Sequence, residues 1–348
     1  PVLRPAYAAG PAATAQKQNA GAASLKIYFV DVEGGQATLI VTPRGQSLLV
    51  DAGWPGFNGR DAERIVRAAK LAGIHRINYL FITHFHADHV GGVPQLAERI
   101  PIDHFLDHGA DVQKGPGDQK LYSAYLKVAQ KGKRRVVKPG DVIPLEGVMV
   151  VVVAAAGKHL EQPLAGAGQM NPYCSETKPM PVDPTENAQS AGFVLTYGKF
   201  RFVDLGDLTW NKEIALMCPQ NRLGRVDVFL ASHHSNANSN SRALVWALEP
   251  RVTIIGNAPK KGGKPEAWKR IEEAPGRERI WELHYSVEGG KENNAAPDYI
   301  ANAQDSPDQG HGLELSARPD GGFTVTNSRN GFKEEYPPQK LPARPITP

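Results

Sequence analysis

Short apolar runs broken by glycine and proline dominate the chain from residue 25 onward. Leu25 to Val32 is strand-like and runs into Gly34-Gly35, and Ala37 to Thr42 follows. Pro43-Arg44-Gly45 reads as a turn and Ser47 to Gly53 as the next strand, so close spacing predicts antiparallel pairing. Asp61 to Leu71 places Ala62, Ile65, Val66 and Ala69 on one helical face, and Gly73 stops it. Ile77 to Thr83, interrupted only by Asn78, has the continuous apolar character of a strand buried on both sides. Further strands are expected at Val148–Val153, Gly192–Tyr197, Phe200–Leu205, Val226–Leu230 and Val252–Ile255, with Phe323–Asn327 closing a C-terminal hairpin. Strands interleaved with helices and long loops indicate an α/β sandwich-like domain. There is no internal repeat and no linker between residues 25 and 330, so residues 25–335 read as one domain. Lys158 to Thr185 is Gly/Pro-rich and unpatterned, an inserted loop of the kind that often carries substrate contacts.

The ends differ from this middle. Residues 1–24 form an Ala/Gln-rich tail containing Ala6-Tyr7-Ala8, the small-x-small pattern of a secretory cleavage site, and are expected to be disordered. That pattern points to a periplasmic or secreted protein. Residues 336–348, rich in proline, are expected to be extended and unpacked.

Composition narrows the function. With 41% apolar residues among 348, a real core can form. The longest apolar run, Val148 to Ala156, is nine residues, about half of a membrane-spanning helix, which argues against an integral membrane segment. A net charge of +4 is too mild to argue for nucleic acid by itself. Two cysteines, Cys174 and Cys218, cannot build a thiolate zinc site but could form one bridge.

The chemistry lies in histidines. Thr83-His84-Phe85-His86-Ala87-Asp88-His89 directly follows the apolar strand. In extended chain His84 and His86 point the same way, and Asp88 and His89, turning into a helix, can face the same point. Three imidazoles and a carboxylate this close suit a borderline-soft divalent metal. His233-His234-Ser235 ends another strand, and between the two clusters an apolar strand ends on Gly206-Asp207, where a carboxylate can bridge two cations.

Asp51 in Leu49-Val50-Asp51-Ala52-Gly53, the His84–His89 motif, Gly206-Asp207 and His233-His234 together resemble the ordered signature of the metallo-β-lactamase superfamily, over residues 25–260. Within it the chain is similar to the hydrolase domain of ComEC-type competence proteins: it opens Asp31-Val32-Glu33-Gly34-Gly35-Gln36, carries Asn187-Ala188-Gln189-Ser190 before a strand, and closes His233-His234-Ser235-Asn236. The resemblance implies an αββα sandwich with one or two divalent ions at one sheet edge. It gives His84 and His86 to one ion, Asp88 and His89 to the other, Asp207 as the bridge, and one of His233 and His234, with His234 preferred, as the ligand completing the second position. Asp51 would orient a ligand histidine. Many members place a third histidine where this chain has Asn187 and Ser190, so the first position is either weakly held or filled from elsewhere, for instance by His159.

Such a site acts through metal-activated water, with Asp88 holding that water and His233 protonating the leaving group. Zinc is the favoured ion, and manganese or iron suit the same ligands. Lys260, Lys261 and Lys264, on a loop following the strand after His234, could hold a phosphate. The expected reaction is hydrolysis of a phosphoester or phosphodiester, nucleic acid included. The alternatives are lactone, lactam or thioester hydrolysis, or a metal-binding module without activity. The polar run Ser235–Ser239 either lines the substrate side or caps the next helix. Lys131-Lys133-Arg134-Arg135 reads as surface charge.

Overall fold

The computed structural model describes residues 24–303 and 310–339. Residues 1–23 and 340–348, with most of the expected signal remnant and proline tail, lie outside the described residues.

Two sheets stack face to face. The first runs, in spatial order, Lys333–Tyr336, Phe323–Asn327, Leu313–Ala317, Leu25–Phe29, Thr38–Val41, Ser47–Val50, Ile77–Phe81, Ile102–Asp107 and Lys133–Val136. The second runs Ile300–Asn302, Arg279–His284, Val252–Ile255, Val228–Leu230, Phe200–Asp204, Gly192–Tyr197, Met149–Ala155 and Val142–Ile143, with Lys158–His159 paired beside Met149–Ala155. The predicted antiparallel pairing of the first three strands is present. Ser47–Val50 then pairs in parallel with Ile77–Phe81, which begins a parallel stretch.

Strand periodicity decides the layers. Ile27, Leu48, Val50, Val152 and Phe202 face the space between the sheets, in one core with Phe81, Phe193 and Trp281. Their neighbours in sequence face outward: Leu39, Leu49 and Leu80 meet the helices Arg60–Leu71 and Pro116–Ala129. Val153 and Val203 meet Trp210–Met217, Arg242–Leu248 and Pro265–Glu272. Side chains of successive strand residues point to opposite faces, so continuously apolar strands serve two cores at once. The result is the αββα metallo-β-lactamase fold that the sequence implied.

Some expectations change. Tyr336 is not part of an unpacked tail: it ends a strand, is 1% exposed, stacks on Phe323 at 4.6 Å and accepts a hydrogen bond from Trp281 Nε1 at 2.9 Å. The polar run after His234 does not cap the next helix, because Ser241 does, accepting the Leu244 amide. Lys133–Val136 is an exposed edge strand, where positive charge discourages pairing with another chain's edge. The loop from Lys158 is tied to the second sheet's helical layer through the Cys174–Cys218 disulfide and through Asn171, which donates to Met217 O and Ala243 O.

Glu282, on Arg279–His284, is fully buried; one oxygen accepts the Ala295 amide at 2.7 Å and the other has no partner among the described residues. Burial pushes this carboxyl up from 4.5 to about 8. A raised carboxyl contributes its full stability below the unfolded value and loses it as pH climbs through the folded one. Glu282→Gln is therefore expected to match wild type near pH 4.5 and to exceed it near pH 9 by at most a few kcal/mol, since each tenfold change in proton affinity is worth about 1.4 kcal/mol. Urea unfolding of both proteins at the two pH values measures this, and an equal gap at both would refute it.

Candidate metal centre

The site residues hang from the carboxyl ends of strands in both sheets, where open parallel sheets place their ligands. Asp51 follows Ser47–Val50, His84 follows Ile77–Phe81, Asp207 follows Phe200–Asp204, and His233-His234 follow Val228–Leu230. Two glycines permit the approach. A side chain at Gly206 (φ 55°) would put its Cβ 2.7 Å from Thr83, and one at Gly262 (φ 71°) 2.2 Å from the His234 carbonyl oxygen. Asp51, His233, His234 and Ser235 all adopt left-handed backbone, with φ of 58°, 52°, 53° and 63°. Such conformations cost on the order of 1 kcal/mol or more each and persist where surroundings enforce them.

Asp88, His89, Asp207 and His234 converge, their ligand atoms within 4.8 Å of one another. His89 Nε2 lies 3.3 Å from Asp88 Oδ2, from Asp207 Oδ1 and from His234 Nε2. His234 Nε2 lies 3.2 Å from Asp88 Oδ2 and 3.5 Å from Asp207 Oδ1. Each ring's other nitrogen is occupied from behind: His89 Nδ1 is 2.6 Å from Asp51 Oδ2, and His234 Nδ1 is 3.0 Å from Gly256 O. Nδ1–H donated outward leaves the Nε2 lone pair pointing at the centre, the tautomer a metal requires. Asp51 is itself fixed by Thr83, whose amide and hydroxyl donate at 2.8 and 2.7 Å.

The other half of the centre uses the second Asp207 oxygen. Oδ2 lies 3.9 Å from His84 Nε2 and 3.6 Å from His233 Nε2. His84 Nε2 and His86 Nδ1 meet at 3.0 Å, and Thr83 Oγ1 sits 3.0 Å behind His84 Nδ1. Imidazole nitrogens and carboxylate oxygens turned toward one another at these distances fit one or two divalent ions.

Electrostatics agree with a cation at the centre. Burial opposes charging His89, but Asp207, Asp88 and Asp51 outweigh it and hold its pKa well above the usual imidazole range. Burial likewise opposes ionising Asp207, yet His89, His234 and His233 hold that carboxyl well below its ordinary value. His84 is pushed far down, first by burial and then by His89.

Several residues at the site carry no signature in the sequence. Glu186 is buried and ties three segments together: it accepts the Phe85 amide at 3.1 Å, the Val112 amide at 2.7 Å and His108 Nε2 at 2.8 Å. Gln113 Oε1 approaches His86 Nε2 at 2.7 Å and accepts the Glu186 amide at 3.1 Å. Of the three lysines expected near substrate, Lys261 alone is seen at the centre: its Nζ contacts Asp88 Oδ2 and Gly34 O and lies 5.0 Å from the Trp54 ring centroid. Lys264 pairs with Glu288 and Lys260 is exposed, so neither has a contact there among the described residues. His159 Nδ1 turns to Leu160 O at 2.8 Å instead of the centre. Asn187 Nδ2 reaches His233 Nε2 at 3.3 Å, while Ser190 Oγ is buried without a partner among the described residues. Asp31, Glu33 and His284 form another acidic group, but Arg64 donates to both carboxylates and supplies the positive charge there.

Residues 30–160 match the sequence model of the metallo-beta-lactamase superfamily. A "UPF0173 metal-dependent hydrolase" of Polynucleobacter asymbioticus is 33% identical over 129 residues, 36% of this chain and 41% of that protein. A hydroxyacylglutathione hydrolase of Xanthomonas campestris pv. campestris is 27% identical over 138 residues, 40% of this chain and 44% of that one. The match thus spans less than half the length of these curated relatives. Among solved structures, the metallo-beta-lactamase fold protein YhfI of Bacillus subtilis aligns with a TM-score of 0.46 at 11% identity, covering 74% of this chain and 95% of that one.

Proposed function

We propose that this chain, whose residues 30–160 match the sequence model of the metallo-beta-lactamase superfamily, is a metal-dependent hydrolase of phosphoesters or phosphodiesters. One observation carries the reading: the Asp207 carboxylate stands between two sets of imidazoles, Oδ1 toward His89 and His234, Oδ2 toward His84 and His233. His84, His86, Asp88, His89, Asp207 and His234 would hold one or two divalent ions, zinc in preference to manganese or iron. When bound, such an ion supplies a Lewis acid and a water acidified to near neutrality. The chain's own groups do the rest. Asp88, held ionised against its burial by His89, His234 and Lys261, would accept a hydrogen bond from a water at the centre. Burial keeps His233 below the usual imidazole range, so it is not a ready-made cationic acid for the leaving group.

A phosphoester is favoured over an acyl substrate because Lys261, in contact with Asp88, brings a cation to the centre's edge beside the Trp54 ring. The resemblance to ComEC-type hydrolase domains supports the same choice. The Cys174–Cys218 bridge supports a periplasmic or secreted location, since disulfides persist in oxidising compartments. Thioester hydrolysis is the second reading, favoured by the hydroxyacylglutathione hydrolase relatives.

Bis-p-nitrophenyl phosphate and a glutathione thioester, each assayed with zinc or manganese and with His86→Ala as control, separate the two. Lys261→Met is expected to raise KM for the phosphodiester about tenfold and to flatten its dependence on salt. Faster turnover of the thioester, with no salt effect from Lys261, would overturn the phosphoester assignment.

A further inference from the structure

The first metal position lacks a third imidazole, and contacts around it form a closed circuit. His84 Nε2 meets His86 Nδ1 at 3.0 Å, and His86 Nε2 meets Gln113 Oε1 at 2.7 Å. Gln113 Oε1 accepts the Glu186 amide at 3.1 Å, and Glu186 adjoins Asn187. Asn187 Nδ2 reaches His233 Nε2 at 3.3 Å, and that nitrogen lies 3.6 Å from Asp207 Oδ2, which returns to His84 Nε2 at 3.9 Å. Asn187 is only 9% exposed, yet its carbonyl oxygen Oδ1 has no hydrogen-bond partner among the described residues. A buried amide oxygen without a partner is a desolvation cost that a cation would offset. Its placement has a cause: Thr185 Oγ1 accepts the Asn187 amide at 3.3 Å, and the Asn187 carbonyl accepts the Ser190 amide at 3.1 Å, which locks the short helical turn Glu186–Gln189.

We propose that the Asn187 carboxamide oxygen is the remaining protein ligand of the first metal position, so that this position holds its ion more weakly than the second. The inference rests on the reading of the centre as a metal site. His233 Nε2 engages the Asn187 amide nitrogen, which leaves the amide oxygen to the ion. A neutral oxygen is a harder and weaker donor than imidazole, so its standing in place of a third nitrogen shifts the first position away from zinc and toward manganese or magnesium. The second position, with two imidazoles and two carboxylates, retains zinc.

The test is metal content, not turnover. The intact chain loaded with zinc is dialysed against chelators of graded strength, and bound metal per chain is measured by atomic emission. Wild type is expected to release one equivalent at least tenfold more readily than the other. Asn187→Ala should lack the weaker equivalent. Asn187→Asp, of the same size but with a charged oxygen, should tighten it tenfold or more, as should Asn187→His, and Ser190→Ala should leave both unchanged. Circular dichroism of each metal-free variant reports folding, and if Asn187→Ala does not fold, the Asn187→Asp comparison decides. Wild type that holds both ions equally, unaltered affinities in Asn187→Asp, or loss in Ser190→Ala in place of Asn187→Ala would each overturn the assignment. Wild type that takes up no metal at all would instead sink the reading of the centre beneath it.

Discussion

Asp207→Ala is expected to leave the protein with less than one bound metal per chain and to lower hydrolysis by about three orders of magnitude, whereas His234→Ala should forfeit one equivalent. The difference follows from geometry. His234 faces Asp88, His89 and Asp207 Oδ1, all on one side of the centre, while the two Asp207 oxygens face different sets of imidazoles. Removing the carboxylate also removes the anion that most strongly offsets the burial of His89, so the alanine variant should resist restoration by excess metal. Metal analysis after gel filtration, beside assays at saturating zinc, provides the check. An Asp207→Ala protein retaining two equivalents would show that the carboxylate does not bridge.

The second large effect is expected at a residue that holds no ion itself. Glu186→Ala leaves the Phe85 and Val112 amides and His108 without their shared acceptor. Breaking a buried pair of this kind costs about 3 kcal/mol or more. Burial opposes ionisation of Glu186, but the His108 contact and the two amides hold its pKa below the ordinary value. A depressed carboxyl contributes its stability above the unfolded pKa and loses it as pH falls through the folded one. The deficit of Glu186→Ala should therefore be full at pH 7 and shrink below about pH 4. Because Phe85 separates His84 from His86, the same variant should also loosen the first metal position. Unfolding curves across pH, paired with metal content at pH 7, test both halves. A variant as stable as wild type at pH 7 would refute the account.

What the sequence discloses follows from what each residue type can be used for. The strands that line the inter-sheet core are legible because they are apolar on both faces, as in Ile77–Phe81 and Val252–Ile255. Ile102–Asp107 is not, since Asp103, His104 and Asp107 interrupt it, and the last of these is buried in bonds to Tyr125 and Arg134. The helix Pro116–Ala129 is equally hidden, with Tyr125 and Ala129 its sole fully buried residues. At the centre, histidines are rare enough for their spacing to signal a metal. Glu186 and Gln113 escape because a lone acidic or amide side chain in a loop looks like any surface residue until the fold places it behind a ligand. The lysine loop shows the reverse error: three equal candidates in sequence become one at the centre, Lys261, once the turn at Gly262-Gly263 sets its direction.

The centre draws its groups from both sheets. His84, His86, Asp88 and His89 belong to the first, and Asp207 and His234 to the second. The recognisable motif within residues 30–160 is thus only one jaw of a clasp. A fragment ending there would keep the most diagnostic histidines and still be unable to grip an ion with them. In the whole chain, the cation would act as a rivet through the open end of the sandwich, resisting any motion that slides one half past the other.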